Sequence, residues 1–142
     1  MRTLIAIPLV AAFVLAIAPA LAETTHYKAK LAAADETPPS DSKGTGSVDA
    51  TYDRATKKLE WTIEYSGLTG PAIAAHFHGP APARKAAPIE VPIVGSLASP
   101  IKGSATLTDA QAKDLTDGMM YFNIHTEAHK PGEIRGQMEK AM

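Results

Sequence analysis

The sequence lacks cysteine and carries almost no excess charge, and both absences restrict what the protein can do. Without cysteine in its 142 residues, the chain has neither a disulfide framework nor a thiolate that could bind a metal or act as a nucleophile. Its formal net charge of −1 gives no electrostatic footprint for nucleic acid. The sequence also lacks a glycine-rich phosphate loop after a strand and a serine nucleophile elbow. Stability must therefore come from a hydrophobic core.

Long apolar runs are equally scarce, and the single one lies at the N-terminus. A short positive segment, Met1-Arg2, precedes an apolar stretch at 4–18, and Ala20-Leu21-Ala22 fits the small-x-small rule for signal-peptide cleavage. We therefore predict a signal peptide at 1–22 and one exported domain at 23–142, periplasmic or secreted. No second run of membrane-spanning length follows, so we expect no membrane association after cleavage.

Alternation of apolar and polar residues dominates the rest of the chain. In Leu59–Tyr65, the cleanest case, Leu, Trp, Ile and Tyr share one face while Glu, Thr and Glu share the other. Seven further strands are predicted at 27–31, 47–52, 72–78, 89–94, 102–107, 119–125 and 133–138. Thr108 and Gln111 form a capping box that begins one short helix, which ends at Gly118. This pattern predicts an all-β fold of about eight strands, an antiparallel Greek-key sandwich or barrel.

Prolines and glycines refine this prediction. Pro92 cannot donate to a ladder, so the 89–94 strand is expected at a sheet edge or a bulge. The Pro- and Ala-rich segment 80–88 is predicted to be a flexible loop. Pro131-Gly132 suits a type II turn, in which proline fixes φ and glycine supplies a positive φ.

Four of the five histidines lie on two predicted strands and the turn that follows one of them. His76 and His78 are two residues apart, so their side chains leave the same face of a strand. The opposite, core face of that strand is expected to carry Ile73, Ala75 and Phe77. In the 119–125 strand, Met120, Phe122 and Ile124 should face the core, while Tyr121, Asn123 and His125 share the other face. The histidines are therefore not expected to be core residues.

If these two strands are neighbours, their histidines converge with the turn histidine on one point. The predicted ligands are His76, His78, His125 and His129. Imidazoles without a thiolate suit copper(II) or zinc(II). The alternative is a set of solvent-facing polar residues, with His78 and His129 hydrogen-bonded to loop backbone.

Acidic residues surround the same turn. Glu127 or Glu133 could serve as a carboxylate ligand or orient a ligating imidazole. Glu133 and Arg135 are same-face neighbours on a predicted strand, and an ion pair of small net value between them is our preferred interpretation of Arg135.

Four blocks of sequence together resemble the CHRD domain, a module named after chordin and common in exported bacterial proteins. They are Glu36–Pro39, Ala75–Ala81, Leu107–Gln111, and Asn123–Thr126 with Pro131–Gln137. The resemblance covers nearly all of 23–142. It implies an immunoglobulin-like β-sandwich or barrel with a distant likeness to copper/zinc superoxide dismutases, and it implies no particular activity.

The likeness to superoxide dismutases implies a role for three residues. His76 and His78 are similar to the copper-binding His-x-His pair of those enzymes, and His125 could stand for a further copper ligand. Their dinuclear site, however, requires more imidazoles than the five histidines of this chain supply. A complete copper–zinc site is therefore excluded, whereas a mononuclear site is possible.

We thus expect an exported, non-catalytic binding module that holds copper or zinc through its clustered histidines. The alternative is a module that recognises a protein or glycan through its loops, with the histidines holding a hairpin in shape. Metal-dependent redox catalysis ranks below both, because the sequence indicates no open coordination position.

Overall fold

The computed structural model describes residue 18 and residues 23–142, so the predicted signal peptide at 1–22 and its cleavage site fall essentially outside the described residues. The described part is mostly β-structure. Its strands are β1 (Thr24–Ala32), β2 (Thr45–Asp53), β3 (Lys58–Ser66), β4 (Ala72–His78), β5 (Ile89–Pro92), β6 (Ile101–Thr106), β7 (Tyr121–Thr126), β8 (Ile134–Gln137) and β9 (Glu139–Lys140). One α-helix, α1 (Asp109–Thr116), and a single 3-10 turn (Ala33–Asp35) complete the described elements.

The strands form one antiparallel sheet in the order β5-β4-β7-β8-β1-β2-β3-β6, with β9 pairing to β1. The sheet curls into a nearly closed, barrel-like shape. Trp61 of β3 and Phe77 of β4 lie near opposite ends of the strand order, yet their ring centroids are 5.2 Å apart across the core. The all-β prediction is confirmed, with the short β9 as an addition. No helix among the described residues is both long and apolar enough to cross a membrane.

Alternation explains why β2 and β3 pair in their observed register. Ile63 lies opposite Val48 and Trp61 opposite Ala50, and all four side chains are buried. Because both strands alternate in phase, a shift by one residue would expose these side chains. On the next strand, Gly103 lies opposite Trp61, where an added Cβ would press on the indole ring.

The core face of β4 and β7 agrees with the prediction except at one residue. Ala75 and Phe77 are buried. The three residues of the predicted 119–125 strand that were assigned to the core, Met120, Phe122 and Ile124, are buried as well. Ile73, in contrast, is 50% exposed. A register shift between Ala72 and Ala74 interrupts the pairing of β4 with β7. This bulge breaks the alternation, so the assignment of Ile73 to the core was wrong.

Helix α1 begins and ends as predicted. Thr108 Oγ1 accepts a hydrogen bond from Gln111 N, and Gln111 Oε1 accepts one from Thr108 N. Gly118, with φ of +73°, follows the helix. Gln111 Nε2 also donates to Glu90 O and so ties the helix to β5. Strand β5 is the edge strand that Pro92 predicted.

Candidate metal centre

The pairing of β4 with β7 brings three of the predicted histidines together. These strands are antiparallel neighbours, with His76 opposite Asn123 and His78 opposite Tyr121. His76, His78 and His125 each present a ring nitrogen, and these nitrogens lie within 4.8 Å of one another. We call these three residues the histidine cluster. The condition that the two histidine strands must be neighbours is therefore met.

Backbone carbonyl groups orient two rings of the cluster. His78 Nδ1 lies 2.9 Å from Ala87 O, and His125 Nδ1 lies 2.7 Å from Lys130 O. Because a carbonyl oxygen only accepts, each Nδ1 must carry a proton and donate it. A neutral ring with Nδ1–H has its lone pair on Nε2. Metal-binding histidines in proteins are commonly oriented by hydrogen bonds of this kind.

The third ring, that of His76, lies at a distance from His125 that suits two ligands of one metal ion. His76 Nδ1 lies 3.2 Å from His125 Nε2. Without a metal, His76 Nδ1–H donates to the lone pair of His125. Two nitrogens bound at tetrahedral angles to one zinc ion, at the usual bond length, are about 3.4 Å apart. A cation could therefore take the place of this proton with little movement of either ring, and the neutral His76 ring would then carry its proton on Nε2.

Burial keeps the rings of His76 and His78 in the neutral state that ligation requires. Burial, followed by the neighbouring His125 and His78 rings, lowers the pKa of His76 to about 4. Burial also lowers the pKa of His78, and its hydrogen bonds to Ala87 and Asn123 oppose this only in part. Both rings are thus uncharged at neutral pH, each with one N–H, so neither need release a proton to solvent when a cation binds.

His78 is held on its remaining sides by Asn123 and Tyr121. His78 Nε2 lies 3.0 Å from the buried amide of Asn123, at Oδ1. The Tyr121 ring stacks on His78 at 4.8 Å with an interplanar angle of 2°. A metal at Nε2 would replace the Asn123 contact while the ring stays in place.

His129, the fourth predicted ligand, does not join the cluster. Its Nε2 lies 3.4 Å from Asp41 Oδ1. Its backbone closes the turn, because His129 N donates to Thr126 O and His129 O accepts from Gly132 N. The structure thus gives His129 a place in the turn and an acidic neighbour.

Neither predicted carboxylate ligand reaches the cluster. Glu127 is exposed and pairs with Lys130. Glu133 is fully buried and accepts hydrogen bonds from Ser42, Thr126 and Thr69. Burial raises its pKa, but these hydrogen bonds outweigh burial and leave the pKa below its usual value. Glu133 therefore joins the turn to two loops as a buried carboxylate.

Arg135 is the largest departure from the predicted site. It is 1% exposed and forms no ion pair with Glu133. Its guanidinium carbon lies 3.3 Å from the centroid of the Tyr121 ring. Its NH groups donate to Thr37 Oγ1 and Pro82 O. The predicted ion pair between Glu133 and Arg135 was wrong because each side chain hydrogen-bonds to other segments that cover this face of β8.

The segment 80–88 forms part of that cover. Ala81 is buried and donates its N–H to Met119 O, and Ala87 N–H donates to the Tyr121 hydroxyl. Hydrogen bonds therefore anchor both ends of the predicted loop, one to Met119 just before β7 and one to Tyr121 in β7. Its Ala87 carbonyl is the group that orients His78.

The fold and the cluster define an all-β domain that carries three imidazoles on the face of its sheet opposite the core. The sequence model of the CHRD domain matches residues 27–138, which include all three histidines. The chain belongs to the CHRD domain family, as its four blocks of sequence predicted. Searches of curated proteins and of solved structures found no match.

Proposed function

We propose that this protein is an exported, non-catalytic binding module that holds one copper or zinc ion at His76, His78 and His125. The separation of 3.2 Å between His76 Nδ1 and His125 Nε2 carries the proposal. The hydrogen bonds from His78 Nδ1 and His125 Nδ1 to backbone carbonyl groups support it, since they leave the Nε2 lone pairs of both rings for a cation.

The composition of the cluster favours binding over catalysis. Three protein ligands leave one position of a tetrahedral ion for water, as in catalytic zinc sites. Such enzymes also need a general acid or base beside the metal. Among the described residues, no carboxylate belongs to the cluster. A reversible metal-handling or protective role outside the cytoplasm fits this ligand set and the predicted signal peptide.

Calorimetric titration of residues 23–142 with Cu(II) and with Zn(II), after stripping with a chelator, tests the proposal. We expect saturable one-to-one binding in the wild type and at least a hundredfold weaker binding in His125→Ala, because three ligands become two. His129→Ala is the matched control and should bind within about threefold of wild type. The fifth histidine, His26, lies near the N-terminus of the tested chain, and His26→Ala controls for copper binding there.

Two results would contradict metal binding at the cluster. One is the absence of saturable binding in the wild type. The other is an equal loss of affinity in His129→Ala and His125→Ala.

A structural role for the same histidines is the second candidate, and it would leave the loops to recognise a protein or glycan. Its supporting observation is that His78 and His125 hold two loops through the Ala87 and Lys130 carbonyls. In this case the double variant His76→Ala/His78→Ala should melt at a lower temperature whether or not metal is present. Under the metal proposal, added metal should raise the melting temperature of the wild type but not of this variant.

A further inference from the structure

Arg135 is a buried cation without an anionic partner. Its side chain is 1% exposed, and among the described residues it makes no ion pair with a carboxylate. Its hydrogen bonds go to neutral oxygens of Thr37 and Pro82, and one face of the guanidinium rests on Tyr121. These contacts leave further N–H donors unused. A buried charge is costly unless it is paired, so this site lacks a negative charge.

The same residue lines a cavity of about 460 Å³ between β1, β9 and the segment 80–88. The cationic residues of the lining are Lys28, Lys30, Arg84, Arg135 and Lys140. Only Asp35 and Glu139 oppose them there. The cavity is thus strongly basic although the whole chain is nearly neutral.

Most cationic side chains of the cavity lining have no ion-pair partner among the described residues. Lys28 pairs with Asp49 at 3.7 Å. Lys30, Arg84 and Lys140 take part in no ion pair among the described residues. Arg84 also has a backbone φ of +62°, a left-handed conformation that non-glycine residues seldom adopt. Such conformations occur preferentially at functional sites, where the surrounding structure holds them.

The acidic residues near Arg135 do not neutralise it. Glu36 is buried beside it but forms no ion pair with Arg135. Burial raises the pKa of Glu36 to about 7 in spite of Arg135, so this carboxyl is only about half ionised at neutral pH. Asp35 is too far away for an ion pair. A ligand that brings its own negative charge would therefore complete the cavity.

We propose that this basic cavity is a second binding site, for a small ligand that presents a phosphate, sulfate or carboxylate group to Arg135. Lys30 and Arg84 close around the ligand from the rim and contribute charge-assisted hydrogen bonds. The volume suits a ligand of monosaccharide size. The site shares no residue with the histidine cluster, so it can be tested without metal.

Calorimetric titration of the metal-free chain, residues 23–142 in the presence of chelator, tests the site. The probes are inorganic phosphate, sulfate and glucuronate. We expect saturable one-to-one binding of at least one probe, weakening as salt increases. The double variant Lys30→Gln/Arg84→Gln removes two rim charges and keeps Arg135, and it should lose at least tenfold in affinity. Tightest binding of phosphate or sulfate would identify an ester ligand, and tightest binding of glucuronate an acidic sugar.

The matched control is Lys43→Gln/Lys102→Gln, which removes the same charge from exposed positions outside the cavity. It should bind the preferred probe within about twofold of wild type. The proposal is overturned if the wild type binds none of the three anions in the millimolar range. It is also overturned if the two double variants lose affinity equally, because general surface charge would then explain the binding.

Discussion

At the scale of single residues, two backbone carbonyls determine which histidine nitrogens are available. Ala87 O and Lys130 O accept from the Nδ1 atoms of His78 and His125, so that the lone pairs lie on Nε2. The low pKa values of His76 and His78 keep those rings neutral. The metal proposal therefore rests on acceptors that are not themselves ligands, because they align the lone pairs before any ion arrives.

Gly132 lies directly against the buried side chain of Glu36. It has a φ of +136°, and an added Cβ would collide with the buried carboxylate of Glu36. We predict that Gly132→Ala lowers the free energy of unfolding by about 3 kcal/mol, as the sum of backbone strain and overpacking. Urea denaturation of both proteins measures the difference.

Gly95→Ala separates strain from collision. Gly95 has a φ of +92°, with open space around its Cβ position. This variant should lose only about 1 kcal/mol, the cost of the backbone conformation. Equal losses in the two variants would show that Glu36 moves aside freely and that the packing argument is incorrect.

At the scale of elements, periodicity predicts the strands but not what covers them. Alternation placed β2, β3 and β7 within a few residues of their observed bounds, and Pro92 placed β5 at the edge. The bulge in β4 was missed because no glycine or proline marks it, so Ile73 was assigned to the wrong face.

The alternation of residues along the strands also predicted the three histidines of the cluster. The surroundings of Arg135, in contrast, depend on segments that are distant in sequence. His76, His78 and His125 follow from alternation along two strands once these are neighbours. The burial of Arg135, in contrast, is produced by the segments around Thr37 and Pro82, which lie far from β8 in sequence. A local pattern cannot show that the outer face of a strand is covered.

The Tyr121 hydroxyl helps to hold the segment 80–88 in place. The Tyr121 hydroxyl accepts from Ala87 N–H at 3.1 Å, and the Ala87 carbonyl orients His78. In Tyr121→Phe the ring stack is kept but the hydroxyl is lost. We expect the Ala87 amide to exchange with solvent at least tenfold faster. Metal affinity should fall about tenfold, since support of a ligating histidine is lost.

Amide exchange followed by NMR and calorimetric titration provide the two readouts. Tyr65→Phe is the matched control, because its hydroxyl donates to Leu97 O away from the cluster. It should alter neither quantity near the cluster. Unchanged Ala87 exchange in Tyr121→Phe would show that other contacts hold the segment.

At the scale of the whole molecule, the sheet separates an apolar interior from a polar outer layer that is itself partly buried. Within this layer, the Tyr121 ring stacks against both the Arg135 guanidinium and the His78 ring. The stack connects the basic cavity to the histidine cluster through one aromatic ring. Charges in this layer bear on the stability of the domain, because a buried charge is costly unless it is paired.

Glu36 makes that effect measurable as a dependence of folding on pH. Burial raises its pKa from 4.5 to about 7 in the folded protein, so between these values the folded state binds more protons than the unfolded state. The contribution of Glu36 to stability is therefore complete below pH 4.5 and is lost as the pH rises through 7. Above that, the charged carboxylate costs about 3 kcal/mol.

Glu36→Gln removes this titration while keeping the shape of the side chain. Relative to the wild type, the variant should be similar in stability at pH 4 and more stable by about 3 kcal/mol at pH 8. Urea denaturation across this range measures the difference, in which the titrations of all other groups cancel. Glu64→Gln, at an exposed position on β3, is the control and should show no such slope. A difference that is constant with pH would mean that Glu36 is ionised in the folded protein, and Arg135 would then have an anionic partner within the chain.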